Sequence, residues 1–391
     1  MLKNKVLCRW EPSLKKILFS FNGSLRAIEM SDIIESGLEN FFLVNKDKRF
    51  DNALSAPVTV QIQTTNKCNF KCEHCYAWSG EKLHKKEISS SEILSLLDRL
   101  QKFGVLNIQW VGGEVFVKKG FWKLVEYAQD LGFEQSLLTN GSFFGITSKI
   151  EIIERAWSFF DIIQVSVDDY KSYFNSFVHK KAWDMVMNGI KKLSLYKPKD
   201  KLLTVATILT KDNVPRLMFL AECLNSHIDV WRLGKEIITG RSKSTQENSI
   251  EALFSSFDCL PQLRNRYISM EITHPFDKDP YEESELLLPY DWRSDNGART
   301  FMYIDSTGFA YPFPLLVNMK EFCGGSIFSE SLDSIWSSKE FHLYRSVTRN
   351  DTGCGGCVEP CQIWPRYHFI QGNSLELTTK PFLHPGCPRC T

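Results

Sequence analysis

TTNKCNFKCEHCYAW, residues 64–78, sets Cys68, Cys72 and Cys75 within eight residues in the spacing CxxxCxxC. Thiolates at such short gaps can turn toward one centre. Structural zinc sites and cubane iron–sulfur clusters both ordinarily take four protein ligands. Two readings follow. His74 could complete a zinc site, or the fourth position stays open, which is how a metal centre performs chemistry rather than holding structure.

The whole chain sets the background. It has 391 residues, enough for two or three domains, with 43% hydrophobic and 24% charged residues. Its 47 basic and 46 acidic residues nearly cancel, which points to neither a nucleic-acid nor a membrane partner. The longest apolar runs, such as LLTVATIL, are far too short to span a bilayer. The N-terminal MLKNKVLCRWEPSLKK lacks the apolar stretch of a secretory signal, so the expected location is a reducing cytoplasm. Disulfides rarely persist there, and twelve cysteines then suggest metal or redox chemistry. Cys8, Cys223 and Cys259 are scattered and read as small buried hydrophobes; Cys354, Cys357, Cys361, Cys387 and Cys390 cluster near the C-terminus.

The sequence outward from the cysteine loop alternates two periodicities. APVTVQIQTT (56–65) reads as a strand that leads directly into the cysteines. ISSSEILSLLDRLQKFG then has serine caps, helical apolar spacing and a terminal glycine. Strands follow at VLNIQWVGGE, EQSLLTNG, DIIQVSVDD, KLLTVATILTKDN and IDVWRLGKEIITGR, separated by amphipathic helices. About six βα units in a row imply a parallel sheet with helices outside it. Chemistry in such sheets sits at the carboxyl ends of the strands. The cysteine loop, Gly112-Gly113-Glu114, Thr139-Asn140-Gly141 and Ser166-Val167-Asp168 all fall at those ends.

With these motifs in place, residues 56–245 resemble the radical S-adenosylmethionine (SAM) superfamily, an α/β fold built on a partial (β/α)6 barrel. CxxxCxxC followed by aromatic Tyr76 is similar to that superfamily's cluster motif. The resemblance implies that Cys68, Cys72 and Cys75 bind three irons of a [4Fe–4S] cluster, with SAM on the fourth. It also implies that Gly112, Gly113 and Glu114 meet the SAM amino group, that Asn140, Ser166 and Asp168 line its pocket, and that the Gly240-Arg241 segment faces the adenine. Val115 stands where the family commonly has proline. The implied chemistry is reductive cleavage of SAM to methionine and a 5′-deoxyadenosyl radical, which takes a hydrogen atom from an inert carbon. A reductant such as flavodoxin or ferredoxin is implied with it. No Ser/His/Asp triad is evident.

The C-terminal stretch carries a second resemblance. DSTGFAYPFPLL, GGSIFSESLDSIWSSKEFHLYR, CGGC, CVEPC and CPRC are similar to a SPASM or twitch domain, which holds auxiliary iron–sulfur clusters in peptide-modifying enzymes. Phe313 replaces the family's cysteine after Tyr-Pro. Cys354, Cys357, Cys361 and one of Cys387 or Cys390 would ligate one complete cluster; a second, using Cys323, would be incomplete or absent. A zinc ribbon is the alternative for these CxxC pairs. The implied organisation is a small N-terminal module (1–55), the barrel (56–245), a linker or lid (246–300) containing His274, Asp277 and Asp279, and an auxiliary-cluster domain (301–391). The N-terminal module combines short strands (VLCRW, ILFSF) with a helix over SDIIESGLENFFLV, and caps the barrel or offers an edge to a leader peptide. The expected function is a maturase that installs a modification, such as a crosslink, in a ribosomally made precursor peptide. The alternatives are an enzyme acting on a small molecule such as a haem precursor, and a non-catalytic iron–sulfur or zinc scaffold.

Overall fold

The computed structural model describes residues 6–21, 24–31, 41–50, 53–80, 86–235, 239–242, 259–267, 269–273, 296–317 and 319–346. The linker residues His274, Asp277 and Asp279 and the C-terminal Cys354, Cys357, Cys361, Cys387 and Cys390 lie outside these described residues.

β1 (Val6–Glu11), β2 (Lys16–Phe21) and β3 (Ser24–Ile28) form an antiparallel meander, and β4 (Phe41–Asn45) joins it parallel to β1. The sequence reading placed Phe41–Val44 at the end of a helix, and the structure corrects this. Phe-Phe-Leu-Val fits a pleated, half-buried surface, and here it takes the open edge of β1 with Phe41 opposite Val6. This small sheet is pinned to the barrel by two buried charges on β1. Arg9 donates to the carbonyls of Pro57 and Gly104, while the Glu11 carboxylate accepts from the Ser55 N–H and hydroxyl.

The barrel follows in chain order. β5 (Thr59–Gln63), α1 (Ser90–Phe103), β6 (Asn107–Val111), α2 (Phe121–Asp130) and β7 (Glu134–Thr139) come first. Then come α3 (Ser142–Ile146), α4 (Ile150–Phe159), β8 (Ile162–Ser166), α5 (Lys171–Phe177), α6 (Ala182–Leu195), β9 (Leu202–Leu209), α7 (Leu217–Leu224) and β10 (Val230–Lys235). Each strand expected from the sequence is present. Ser89 and Glu92 cap α1 reciprocally, and Gly104 ends it in the left-handed conformation at φ 93°. The short α3 and α5 were not anticipated.

β5 to β10 are all parallel, and β11 (Glu271–Thr273) extends them beyond β10. On the other side β12 (Phe301–Ile304) pairs parallel to β5, and β13 (Phe309–Tyr311) and β14 (Gly325–Ser326) continue antiparallel. α8 (Leu332–Trp336) and α9 (Lys339–Ser346) close the described chain. The fold is therefore the expected α/β partial barrel, and residues 301–326 share its sheet.

Alternation along the strands separates two faces. Val60, Ile62, Ile108, Trp110, Leu137, Ile163, Val205 and Trp231 are fully buried toward the helices. Gln61, Gln63, Gln109, Ser136, Gln164, Ser166, Thr204 and Arg232 occupy the alternate positions, on the inner face. A solid apolar core thus lies between sheet and helices, and the concave side sets these polar groups among Leu138, Ile162, Ala206 and Val230.

α3 and α6 pack without side chains between them. A Cβ on Gly145 would sit 1.8 Å from the Met185 carbonyl oxygen, and one on Gly189 would sit 2.3 Å from that of Gly141. Gly145→Ala must push these backbones apart. Its expected cost is about 1–3 kcal/mol, read as a lowered urea midpoint.

Candidate metal and cofactor site

The cysteine loop begins where β5 ends, and its neighbours hold it mainly by backbone carbonyls. Gly113 N–H donates to Thr65 O at 2.7 Å, and Glu114 N–H to Lys67 O at 2.9 Å. A Cβ on Gly113 would lie 2.3 Å from that same Lys67 oxygen, so glycine is required for strand β6 to come this close. Gly80 N–H closes the loop on Asn66 O at 2.6 Å. Glu87 binds its start, accepting from Asn66 N–H at 2.6 Å and from the Thr65 hydroxyl.

Arg241 holds the other side. Its N–H donates to Cys75 O at 3.0 Å, Nε to Cys72 O at 2.9 Å and Nη1 to Ser79 O at 2.7 Å. Gly240, at φ +61°, lets this segment approach; a Cβ there would meet Cys75 O at 2.3 Å. The sequence reading had the backbone of this segment facing adenine. In the structure the Arg241 side chain acts as a clamp on the cysteine loop.

The three thiols are half-buried and unpaired by disulfides. Burial pushes the Cys68 thiol up to about 11, with the Glu114 and Cys75 charges adding to it. Burial also raises Cys72, and Asp168 adds to it. Phe70 N–H points at Cys68 Sγ (3.3 Å) and Ser79 N–H at Cys75 Sγ (3.4 Å). A bound cation would stabilise these crowded thiols as thiolates, and N–H groups aimed at sulfur suit an iron–sulfur cluster. Among the described residues, no three His, Cys, Asp or Glu side chains are spaced to hold a single metal ion. A cluster takes one iron per thiolate, so its thiols need not converge on one point. His74, the candidate fourth zinc ligand, instead pairs its Nε2 with Asp168 Oδ2 at 3.0 Å. The donor set therefore fits a cluster better than mononuclear zinc.

The remaining expected residues surround this loop. Glu114 is buried, and its carboxylate accepts from the Thr139 hydroxyl and Asn140 N–H, both at 2.8 Å, tying β6 to β7. Asn140 reaches Asn69 at 2.9 Å and lies 4.0 Å from Cys68 Sγ. Asp168 accepts from Ile208 N–H while holding His74, so it joins β9 to the cysteine loop. Ser166 is exposed at the carboxyl end of β8. Tyr76 is hydrogen-bonded to Tyr303 of β12, whose hydroxyl donates to Gln63 Oε1 at 3.0 Å. Gly112 approaches the Thr65 carbonyl. Cys323 lies apart, just before β14 and three strands from β5. Cys8 is buried in the small N-terminal sheet, as expected of a scattered cysteine. Sequence reasoning missed Glu87, Asn69 and Tyr303. Only their distant partners reveal them.

Comparison with known proteins agrees with this geometry. The profile of the radical SAM superfamily matches residues 62–219. The chain carries a radical SAM domain. With that domain come SAM and a [4Fe–4S] cluster, and the protein is an enzyme. It is 24% identical over 318 residues to mycofactocin maturase MftC of Mycolicibacterium smegmatis, covering 80% of this chain and 77% of that one. It is 29% identical over 213 residues to sporulation killing factor maturation protein SkfB of Bacillus subtilis, covering 54% of this chain and 49% of that one. The fold is shared with Streptococcus suis SuiB bound to its precursor peptide SuiA, at TM-score 0.66 and 15% identity over 90% of this chain and 92% of that one. No helix among the described residues is long and apolar enough to cross a membrane.

Burial pushes the Glu114 carboxyl up to about 7 from 4.5, against the lowering effect of its Asn140 and Thr139 hydrogen bonds. A raised carboxyl binds its proton more tightly folded than unfolded, so its ionisation subtracts stability. The penalty is absent below 4.5 and complete above about 7. Iron-free protein should therefore lose stability relative to Glu114→Gln as pH rises through this window. The expected slope is at most about 1.4 kcal/mol per pH unit, from urea titrations at a series of pH values.

Proposed function

We propose that this enzyme is a maturase that modifies a ribosomally made peptide at an unactivated carbon. The observation that carries the reading is the cysteine loop itself. It is fixed by its carbonyls at the carboxyl ends of a parallel sheet, with three thiols left for metal and a concave face beside them. Cys68, Cys72 and Cys75 would hold the cluster, with Gly112, Gly113, Asn140 and Ser166 about the SAM site. Reduced cluster and SAM, when bound there, supply the one-electron cleavage that yields methionine and a 5′-deoxyadenosyl radical. Glu114, Asp168 and Arg241 position the surrounding loops. The relatives named as maturation proteins, and the peptide-bound SuiB that shares this fold, support a peptide as substrate.

The finer parts of the proposal follow from the cysteine pattern. Cys354, Cys357, Cys361 and one of Cys387 or Cys390 ligate an auxiliary cluster, and Cys323 belongs to any second one. A flavodoxin or ferredoxin supplies the electron in a cytoplasmic setting. For a crosslink, one hydrogen would leave the peptide as an atom to the 5′-deoxyadenosyl radical, giving 5′-deoxyadenosine. The second would leave as a proton, and an auxiliary cluster held by those cysteines would supply a one-electron acceptor.

Protein prepared without air is expected to be brown and to carry about eight irons, four per [4Fe–4S] cluster. Replacing Cys68, Cys72 and Cys75 together by alanine should remove about half of that iron. A colourless protein that takes up zinc instead would end the cluster reading.

The function is tested with a short peptide encoded beside the gene, deuterated at its side-chain β-carbons and incubated with SAM and reductant. Deuterium is expected in 5′-deoxyadenosine, with a matching loss of peptide mass. If every adjacent peptide stays unchanged while a tetrapyrrole is converted, the small-molecule alternative replaces this one.

A further inference from the structure

We infer that Arg232 anchors a carboxylate of the substrate, so that the peptide taken by this site carries a carboxylate that reaches the concave face of β10. The inference deepens the peptide reading above and rests on it.

Arg232 lies in the middle of β10. Its neighbours Trp231 and Leu233 are buried against the helices at 0% and 3% exposure, so alternation turns Arg232 to the concave face, where it is exposed. Register places it level with Ser166, through Ala206 of β9. That is two strands away, roughly 10 Å. Its Nη1 reaches Gln164 Oε1 at 3.4 Å. Gln164 is one pleat step below Ser166, so the guanidinium leans away from the strand ends that carry the cysteine loop.

Little else satisfies this cation. A guanidinium offers five donors, and among the described residues Arg232 makes one long contact, to a neutral amide. Among the described residues it makes no ion pair. Glu271 of β11 sits opposite Val230, one step lower, and is not paired with it. The neighbouring concave-face groups are neutral and partly bonded to each other, as in Gln61 Nε2 to Gln109 Oε1 at 2.8 Å. Beside Gln164 across the ladder stands Thr204, 4% exposed, whose hydroxyl has no hydrogen-bond partner. The exposed guanidinium and the Gln164 amide thus face the concave side together, with the Thr204 hydroxyl buried beside Gln164. A carboxylate is the group that pairs with a guanidinium through charge-assisted hydrogen bonds, which are stronger than those between neutral groups.

Two carboxylates could come from a peptide, an Asp or Glu side chain or the C-terminus. SAM brings a third. The experiment separates them by equilibrium binding to the iron-loaded protein, with the adjacent peptide as probe. The peptide is compared with a form whose Asp and Glu are replaced by Asn and Gln, and with its C-terminal amide. Arg232→Gln should weaken binding of the parent peptide about tenfold to a hundredfold, the range for a charge-assisted pair. One neutralised peptide should bind the wild-type protein as weakly as the parent binds the variant, and should lose nothing further with Arg232→Gln. Whichever peptide behaves so names the source. Arg232→Lys should recover part of the affinity, and an unchanged urea midpoint in both variants excludes misfolding as the cause.

Equal weakening of all three peptides by Arg232→Gln overturns the inference. So does a loss of SAM affinity in place of peptide affinity, which would assign Arg232 to the SAM carboxylate. Peptide turnover that is indifferent to Arg232 overturns this inference alone. A wild-type protein that neither binds nor modifies any adjacent peptide overturns the peptide reading, and this inference with it.

Discussion

The carbonyl oxygens of residues 65–79 are the groups on which the site depends. A loop carrying three metal-binding thiols cannot use those sulfurs to hold itself together, yet its backbone acceptors must still be satisfied. The fold meets this by bringing donors from elsewhere. The end of β6 serves Thr65 and Lys67, and Arg241 serves Cys72, Cys75 and Ser79. Because the donors are backbone N–H groups and one rigid guanidinium, the loop is placed with little freedom. Gly113 and Gly240 matter for the same reason, since each lets a backbone come within reach of those carbonyls.

A second level of restraint keeps the strand ends in register around the loop. Glu114 ties β6 to β7 through Thr139 and Asn140, and Asp168 ties β8 to β9 and to His74. Asp169 extends the line outward by pairing with Arg216 at 2.5 Å. Acidic residues that would be costly to bury alone are thus each bound by two or more donors. Two carboxylates, Glu114 and Asp168, accordingly sit close to the thiols. They raise the thiol pKa values without a bound cation and contribute favourable charge once one is present.

Away from the site, buried charge serves attachment. Arg9 and Glu11 have no exposed side-chain surface and lie 3.4 Å apart, and both spend their bonds on the chain segments that enter the barrel. Removing one alone would strand the other in the interior, which is the expensive case for a buried pair. The small N-terminal sheet is therefore built into the base of the enzyme. On the far side β12 performs a comparable task, since Tyr303 reaches Gln63 and Tyr76 and so links the strand next to β5 to the cysteine loop.

The sequence by itself determined the alternating βα order, the two faces of each strand, the capped α1 and the convergence of CxxxCxxC, GGE and TNG on one end of the sheet. All of these are local, because they rest on periods of two and 3.6 residues and on motifs a few residues long. It also placed a helix over Phe41–Val44, because the apolar run is ambiguous until β1 offers an unpaired edge. The tertiary structure alone decided that Arg241 grips a loop 169 positions away through Cys72, that His74 turns to Asp168 instead of completing a zinc site, that Glu87 holds the loop's entry, and that β12 joins β5. Each is a contact between residues distant in the chain, and no periodicity encodes which remote donor will satisfy a given acceptor. The exposure of Arg232 on the concave face lies between the two. Alternation with Trp231 and Leu233 fixes the face, and only the packed sheet shows that among the described residues it reaches Gln164 there.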